Sequence, residues 1–160
     1  VYILGAGHVG RALAQFFQFL PVRCILIDAR AEELSLCAAD VETRLSVMAE
    51  ADIRRAPPGS AFIVLTHDHA LDFLLTSEAL DRGDAAYVGL IGSATKRVKF
   101  NRFHTAQSQG QDTSALTCPI GGPTSTDKRP EVIAALVTAE VMARLTAYAN
   151  AVCTDQASAE

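Results

Sequence analysis

The chain has 160 residues, 49% of them hydrophobic and 20% charged, with a formal net charge of -4 and a sequence pI near 5.5. That length can bury a sizeable core in one globular domain, and the composition excludes a disordered or fibrous chain. The acidic balance argues against a general affinity for nucleic acid, which needs a basic face, so any anion site is expected to be local.

The apolar run Val1-Tyr2-Ile3-Leu4 predicts a first strand and leads directly into Gly5-Ala6-Gly7-His8-Val9-Gly10. Three glycines at that spacing suit a sharp turn from a buried strand into a helix. The first permits the turn, the second lets backbone approach a pyrophosphate, and the third lets the helix pack closely on its strand. Unpaired N–H groups and the positive end of the helix dipole then face the anion. From Val9 to Leu20 the larger apolar residues Val9, Leu13, Phe16, Phe17 and Leu20 share one helical face, which Pro21 ends. A strand over 23–28 closes on Asp28, 18 residues after Gly10 and near the ~20-residue spacing of the carboxylate that takes a ribose hydroxyl in such units. Asp28 favours an unphosphorylated ribose, whereas the neighbouring Arg30 could attract a 2'-phosphate.

Further strands are expected over 43–48, 61–66 and 86–91. Each apolar run is short and continuous, as in strands covered on both faces, and helices between them make the sheet parallel. Ala70, Phe73, Leu74 and Leu80 are read as the core face of the helix after the fourth strand. A basic helix with Lys96, Arg97, Lys99 and Arg102 is read from about Ala94, followed by a polar linker over 107–112. The run 116–120 is read as a sixth, edge strand, where Pro119 is tolerable. A long final helix takes Pro130 in its first turn and turns Ile133, Leu136, Val137, Val141 and Leu145 inward, and 151–160 reads as a flexible tail. The fold class expected is α/β, a Rossmann-like doubly wound, mostly parallel sheet of five or six strands with helices on both faces, filling 1–150.

No stretch approaches the ~20 apolar residues needed to span a bilayer, so a soluble protein is expected. Cys24, Cys37, Cys118 and Cys153 show no zinc-type spacing, which favours a reduced, cytoplasmic setting without a structural metal. A valine that opens a strand at residue 1 suggests a piece of a longer protein.

In open α/β sheets ligands sit beyond the carboxyl ends of the strands. The candidate cofactor contacts are therefore Gly5, Gly7, His8, Val9 and Gly10 at the first turn, Asp28 and Arg30 at the second, Thr66 and His67 at the fourth, and Gly92 and Ser93 at the fifth. A protonated His8 could pair with an anion or face solvent. Thr66-His67-Asp68-His69 with Asp72 concentrates ionisable groups able to relay a proton or hold a metal, although Asp68 is also a good helix N-cap. His67 is the acid/base candidate of the group. Gly92-Ser93 opens the basic helix and resembles a second anion cradle. Cys118 has the strongest claim to sulfur chemistry among the thiols, against the plainer reading of a small buried cysteine, and Cys24 should be inert.

Taken together, Ile3-Leu4-Gly5-Ala6-Gly7-His8-Val9-Gly10, Ile27-Asp28-Ala29-Arg30, Thr66-His67-Asp68 with Asp72, Tyr87-Val88-Gly89-Leu90-Ile91-Gly92-Ser93, and Cys118-Pro119-Ile120-Gly121 leading to Pro130-Glu131-Val132-Ile133-Ala134 resemble the Rossmann-type C-terminal domain of the XdhC/CoxI family. The family comprises accessory proteins of xanthine dehydrogenase and related molybdenum hydroxylases. The resemblance implies a chaperone more than an enzyme. Its cargo would be the molybdenum cofactor, as molybdopterin or its dinucleotide, and its partners a cysteine desulfurase and the apo-hydroxylase. It also implies an N-terminal portion that this chain lacks, and the loop 122–127 departs from the family's glycine-rich pattern. The glycine turn and Asp28 suit NAD equally, which leaves an NAD-dependent oxidoreductase or a nucleotide-sensing domain as alternatives and a homodimer open. Neither nucleic acid nor membrane is expected as a partner.

Overall fold

The computed structural model describes residues 1–107, 112–122 and 126–157. Strands β1 (Tyr2–Leu4), β2 (Ile25–Asp28), β3 (Glu42–Leu45), β4 (Ala61–Val64), β5 (Tyr87–Leu90) and β6 (Leu116–Thr117) alternate with helices α1 (His8–Phe17), α2 (Ala31–Ser35), α3 (Ala49–Arg55), α4 (His69–Asp81), α5 (Ala94–Gln107) and α6 (Pro130–Ala157). The strands form a six-stranded sheet in the order β3-β2-β1-β4-β5-β6, every pair parallel. The doubly wound α/β reading therefore holds. Strand order reverses between β1 and β4, so the crevice of such a sheet opens over the loops that follow these two strands.

The central strands are buried on both faces, which is why their sequences read as unbroken apolar runs. On one side Ile3, Leu26 and Ile63 pack against Leu13 and Phe17 of α1 and Val137 and Val141 of α6. On the other, Leu4, Phe62, Val64 and Leu90 pack against Ile53 of α3, Leu75 of α4 and Phe100 of α5. Most of these side chains are almost wholly removed from water, a burial of roughly 1.5–3 kcal/mol each.

Several elements differ from the sequence reading. β3 ends at Leu45 rather than running to residue 48, and its residues alternate between half-buried and exposed, as an edge strand with one covered face does. β6 stops at Thr117, ahead of the cis Cys118–Pro119 peptide. On α4, Ala70 and Leu74 face outward while Asp72, Leu75, Thr76, Ser77 and Ala79 are buried. The helix packs on the sheet beside α5, with Phe73 on Phe100 and Phe103 at ring-centroid distances of 5.5 and 5.4 Å, and polar residues share its inner face. α6 continues to Ala157, into the stretch expected as a tail; 158–160, most of the polar linker (108–111) and the loop residues 123–125 lie outside the described residues. By length and composition alone, 130–154 of α6 is apolar enough to cross a membrane, with a mean hydropathy of 1.5, contrary to the expectation that no stretch would be. In the fold, Ala134, Val137 and Val141 of that helix join the core beside α1.

Candidate functional site

The glycines of the first turn divide by what surrounds them. Gly5 has φ +127°, and a Cβ there would lie 2.4 Å from the Leu65 carbonyl oxygen. A Cβ on Gly10 would lie 1.9 Å from the Gly5 carbonyl oxygen. Both are glycine because β1, α1 and the β4 loop approach too closely for a side chain. Gly7 is different: its φ and ψ of -65° and -173° are open to any residue, and a Cβ there would meet nothing within 4 Å. No side chain caps α1, and its first turn holds no acidic residue. The helix thus presents uncompensated N–H groups and the positive end of its dipole beside open space, the arrangement that receives a phosphoryl oxygen.

A chain of polar contacts holds this turn from behind. The buried carboxylate of Asp28 accepts the Ala6 N–H at 2.7 Å, the Arg30 N–H at 2.9 Å, and the Arg30 guanidinium through Nε at 3.0 Å and Nη2 at 2.9 Å. Burial alone would push this carboxyl up, but the hydrogen bonds from Arg30 and Ala6 outweigh it and hold Asp28 below its ordinary value. Arg30 approaches Glu33 at 3.8 Å, Glu33 pairs with Arg11 at 2.5 Å, and Arg11 donates to the Ala6 carbonyl at 2.6 Å. Both ends of the Ala6 residue are thereby tied into one ring. Arg11 and Glu33 carried no signal in the sequence, because their roles depend on α1 and α2 being neighbours across β1 and β2.

At β4, the fully buried Asp72 accepts both the N–H and the hydroxyl of Thr66, each at 2.8 Å, and pairs with Lys96 of α5 at 2.6 Å. Asp68 caps α4 through Ala70 N at 2.7 Å. His67 and His69 are exposed and line separate hollows. The expected concentration of ionisable groups is thus dispersed into a cap, an ion pair and two outward imidazoles, and among the described residues no group of three His, Cys, Asp or Glu gathers as a metal site.

Among the described residues, several hollows open along the carboxyl edge. One of about 40 Å³ lies between Gly5, Asp28, Ala29, Val47, Thr66 and His67. One of about 410 Å³ lies between His69, Phe73, Gly92, Ser93, Lys96 and Lys99, where the Ser93 hydroxyl accepts the Lys96 N–H at 3.3 Å. The third, about 190 Å³, brings His8, Arg11 and Gln15 of α1 up to Pro130 and Glu131 of α6. A further hollow of about 230 Å³ is framed by the beginnings of β5 and β6, at the edge opposite the glycine turn. The expected contacts at β1, β2, β4 and β5 therefore share one edge, though His8 looks toward α6 and Gly92-Ser93 into a hollow of their own.

Cys118 lies close by but is buried, its Sγ 3.9 Å from the Ser93 carbonyl. Burial pushes its thiol up, against the opposing influence of Lys96 and Arg97, so its surroundings favour an inert thiol at neutral pH. Burial pushes Cys24 up to about 12, in keeping with a passive strand-end residue.

Parallel strands in this order, with a glycine turn at the switch point, define a Rossmann-type domain. The family model of the XdhC Rossmann domain matches residues 1–141, and the chain belongs to that family. Among curated proteins none matches. The crystal structure of a protein described as a xanthine dehydrogenase from Bacillus halodurans has a similar fold, with a TM-score of 0.72 at 21% identity over 91% of this chain. The chain spans 42% of the length of that protein.

Proposed function

We propose that this domain receives the phosphate-bearing end of the molybdenum cofactor at the α1 N-terminus and acts as an accessory chaperone, supporting the cofactor's sulfuration with a cysteine desulfurase and its insertion into xanthine dehydrogenase or a related molybdenum hydroxylase in the cytoplasm. The observation that carries this reading is the open space at Gly7, beside a helix end that no side chain caps. Close backbone approach accounts for Gly5 and Gly10 without a ligand, whereas at Gly7, the N-cap of α1, the space left by the missing side chain is open to an incoming group. Membership of the XdhC Rossmann family is what favours the molybdenum cofactor as that group in this proposal.

The residues fit such cargo. The first-turn amides of His8, Val9 and Gly10 would hold the terminal phosphate, with Thr66 and His67 on the flank of the adjoining hollow. Arg11 and Asp28 keep the turn in its receiving shape through Ala6. An NAD-dependent role would require Asp28 to accept ribose hydroxyls, and its oxygens are already engaged. Titration of the protein with molybdopterin, followed by addition of an apo-hydroxylase, tests the reading: saturable binding and transfer of the cargo are expected. Absence of binding both in this domain and in a longer protein containing it overturns the proposal.

A further inference from the structure

A ribose diol is recognised by a carboxylate with lone pairs to spare, and Asp28 has none. An ionised carboxylate offers about four acceptor sites, and four donors occupy Asp28: Ala6 N and Arg30 Nη2 on Oδ2, Arg30 N and Arg30 Nε on Oδ1. The two guanidinium bonds are parallel and charge-assisted, the strongest type available to a carboxylate. Asp28 is itself 4% exposed and Arg30 28%, and the guanidinium occupies one acceptor position on each carboxylate oxygen. The contact at 3.8 Å to Glu33 holds the arginine from its other end.

We infer that Arg30 is a specificity-determining residue that closes the ribose-binding position of this Rossmann turn, so that the site selects ligands by their phosphate and gives no preference to a free 2',3'-diol. The inference rests on the reading of the glycine turn as a phosphate site. It narrows the cargo class: a phosphate ester without a ribose fits the turn as it stands, whereas a dinucleotide must first break the Asp28–Arg30 pair. Asp28 becomes a positioning residue, acting on the ligand through Ala6.

The test uses AMP and 2',3'-dideoxy-AMP, which share base and phosphate and differ in the diol. For the unaltered protein, calorimetric affinities for the two nucleotides are expected to agree within about twofold, or both to be too weak to measure. In Arg30→Ala the Asp28 oxygens are released, and AMP should bind about tenfold or more tightly than its dideoxy form, the scale of hydrogen bonds to a charged acceptor. Arg30→Lys, which keeps a cation without the fork, should fall between. A clear preference for AMP in the unaltered protein overturns the inference, as does a folded Arg30→Ala without any such preference. Thermal unfolding checks that both variants are folded. Failure to bind molybdopterin, with the diol preference appearing in Arg30→Ala, would remove the proposed cargo and leave this inference standing.

Discussion

Asp28 shows how far residue spacing carries and where it stops. Its distance from the glycine turn marks it as the acid of a nucleotide-binding unit, and it does sit at the end of β2, beside the turn. What spacing does not encode is occupancy: Arg30 follows two residues later and folds back onto both oxygens. Because the folded protein holds Asp28 below its ordinary value of 3.8, the group contributes stability that is fully present above that value and is lost as pH falls through the depressed one. Asp28→Asn should therefore lower stability at neutral pH, by about 2 kcal/mol, and the gap to the unaltered protein should narrow on acidification below pH 3.8. Urea unfolding at a series of pH values checks this; a gap that stays constant or widens in acid would mean that Asp28 is not the linked group.

Between elements, a buried ion pair near the site joins α4 to α5. Asp72 leaves the buried face of α4 to hold the end of β4 through Thr66 and the first turns of α5 through Lys96. The side chains are 1% and 12% exposed, so truncating Lys96 strands a buried charge. Lys96→Ala should cost about 3–5 kcal/mol. Adding Asp72→Asn to it should cost less than the sum of the separate effects, since the second change removes the stranded charge. Chemical denaturation of the two single variants and the double variant measures the coupling; strict additivity would contradict it. The sequence marked Asp72 and Lys96 as members of two separate clusters, and only the parallel neighbourhood of β4 and β5 makes them one pair.

For the molecule as a whole, apolar runs and glycine spacing were enough to foresee a parallel sheet with its ligand edge at the strand ends, because strands buried on both faces and a close-packed turn constrain residue type directly. Legibility fell where constraint is weaker: at edge strand β3, whose exposed positions tolerate any residue, and on α4, whose inner face is partly polar. The candidate site was legible as a set of loops but not as a network, since Arg11, Glu33 and Arg30 meet only after the elements pack. In the proposed role of the turn, Gly7 stays open for cargo while Gly10 stays small for the fold. This role is tested most directly by molybdopterin titration and urea unfolding of Gly7→Ala beside Gly10→Ala. Gly7→Ala should stay within about 1 kcal/mol of the unaltered stability yet bind molybdopterin about tenfold or more weakly, and Gly10→Ala should lose about 3 kcal/mol or more of stability from its backbone clash. Undiminished molybdopterin binding by a folded Gly7→Ala would contradict a cargo role for the open turn.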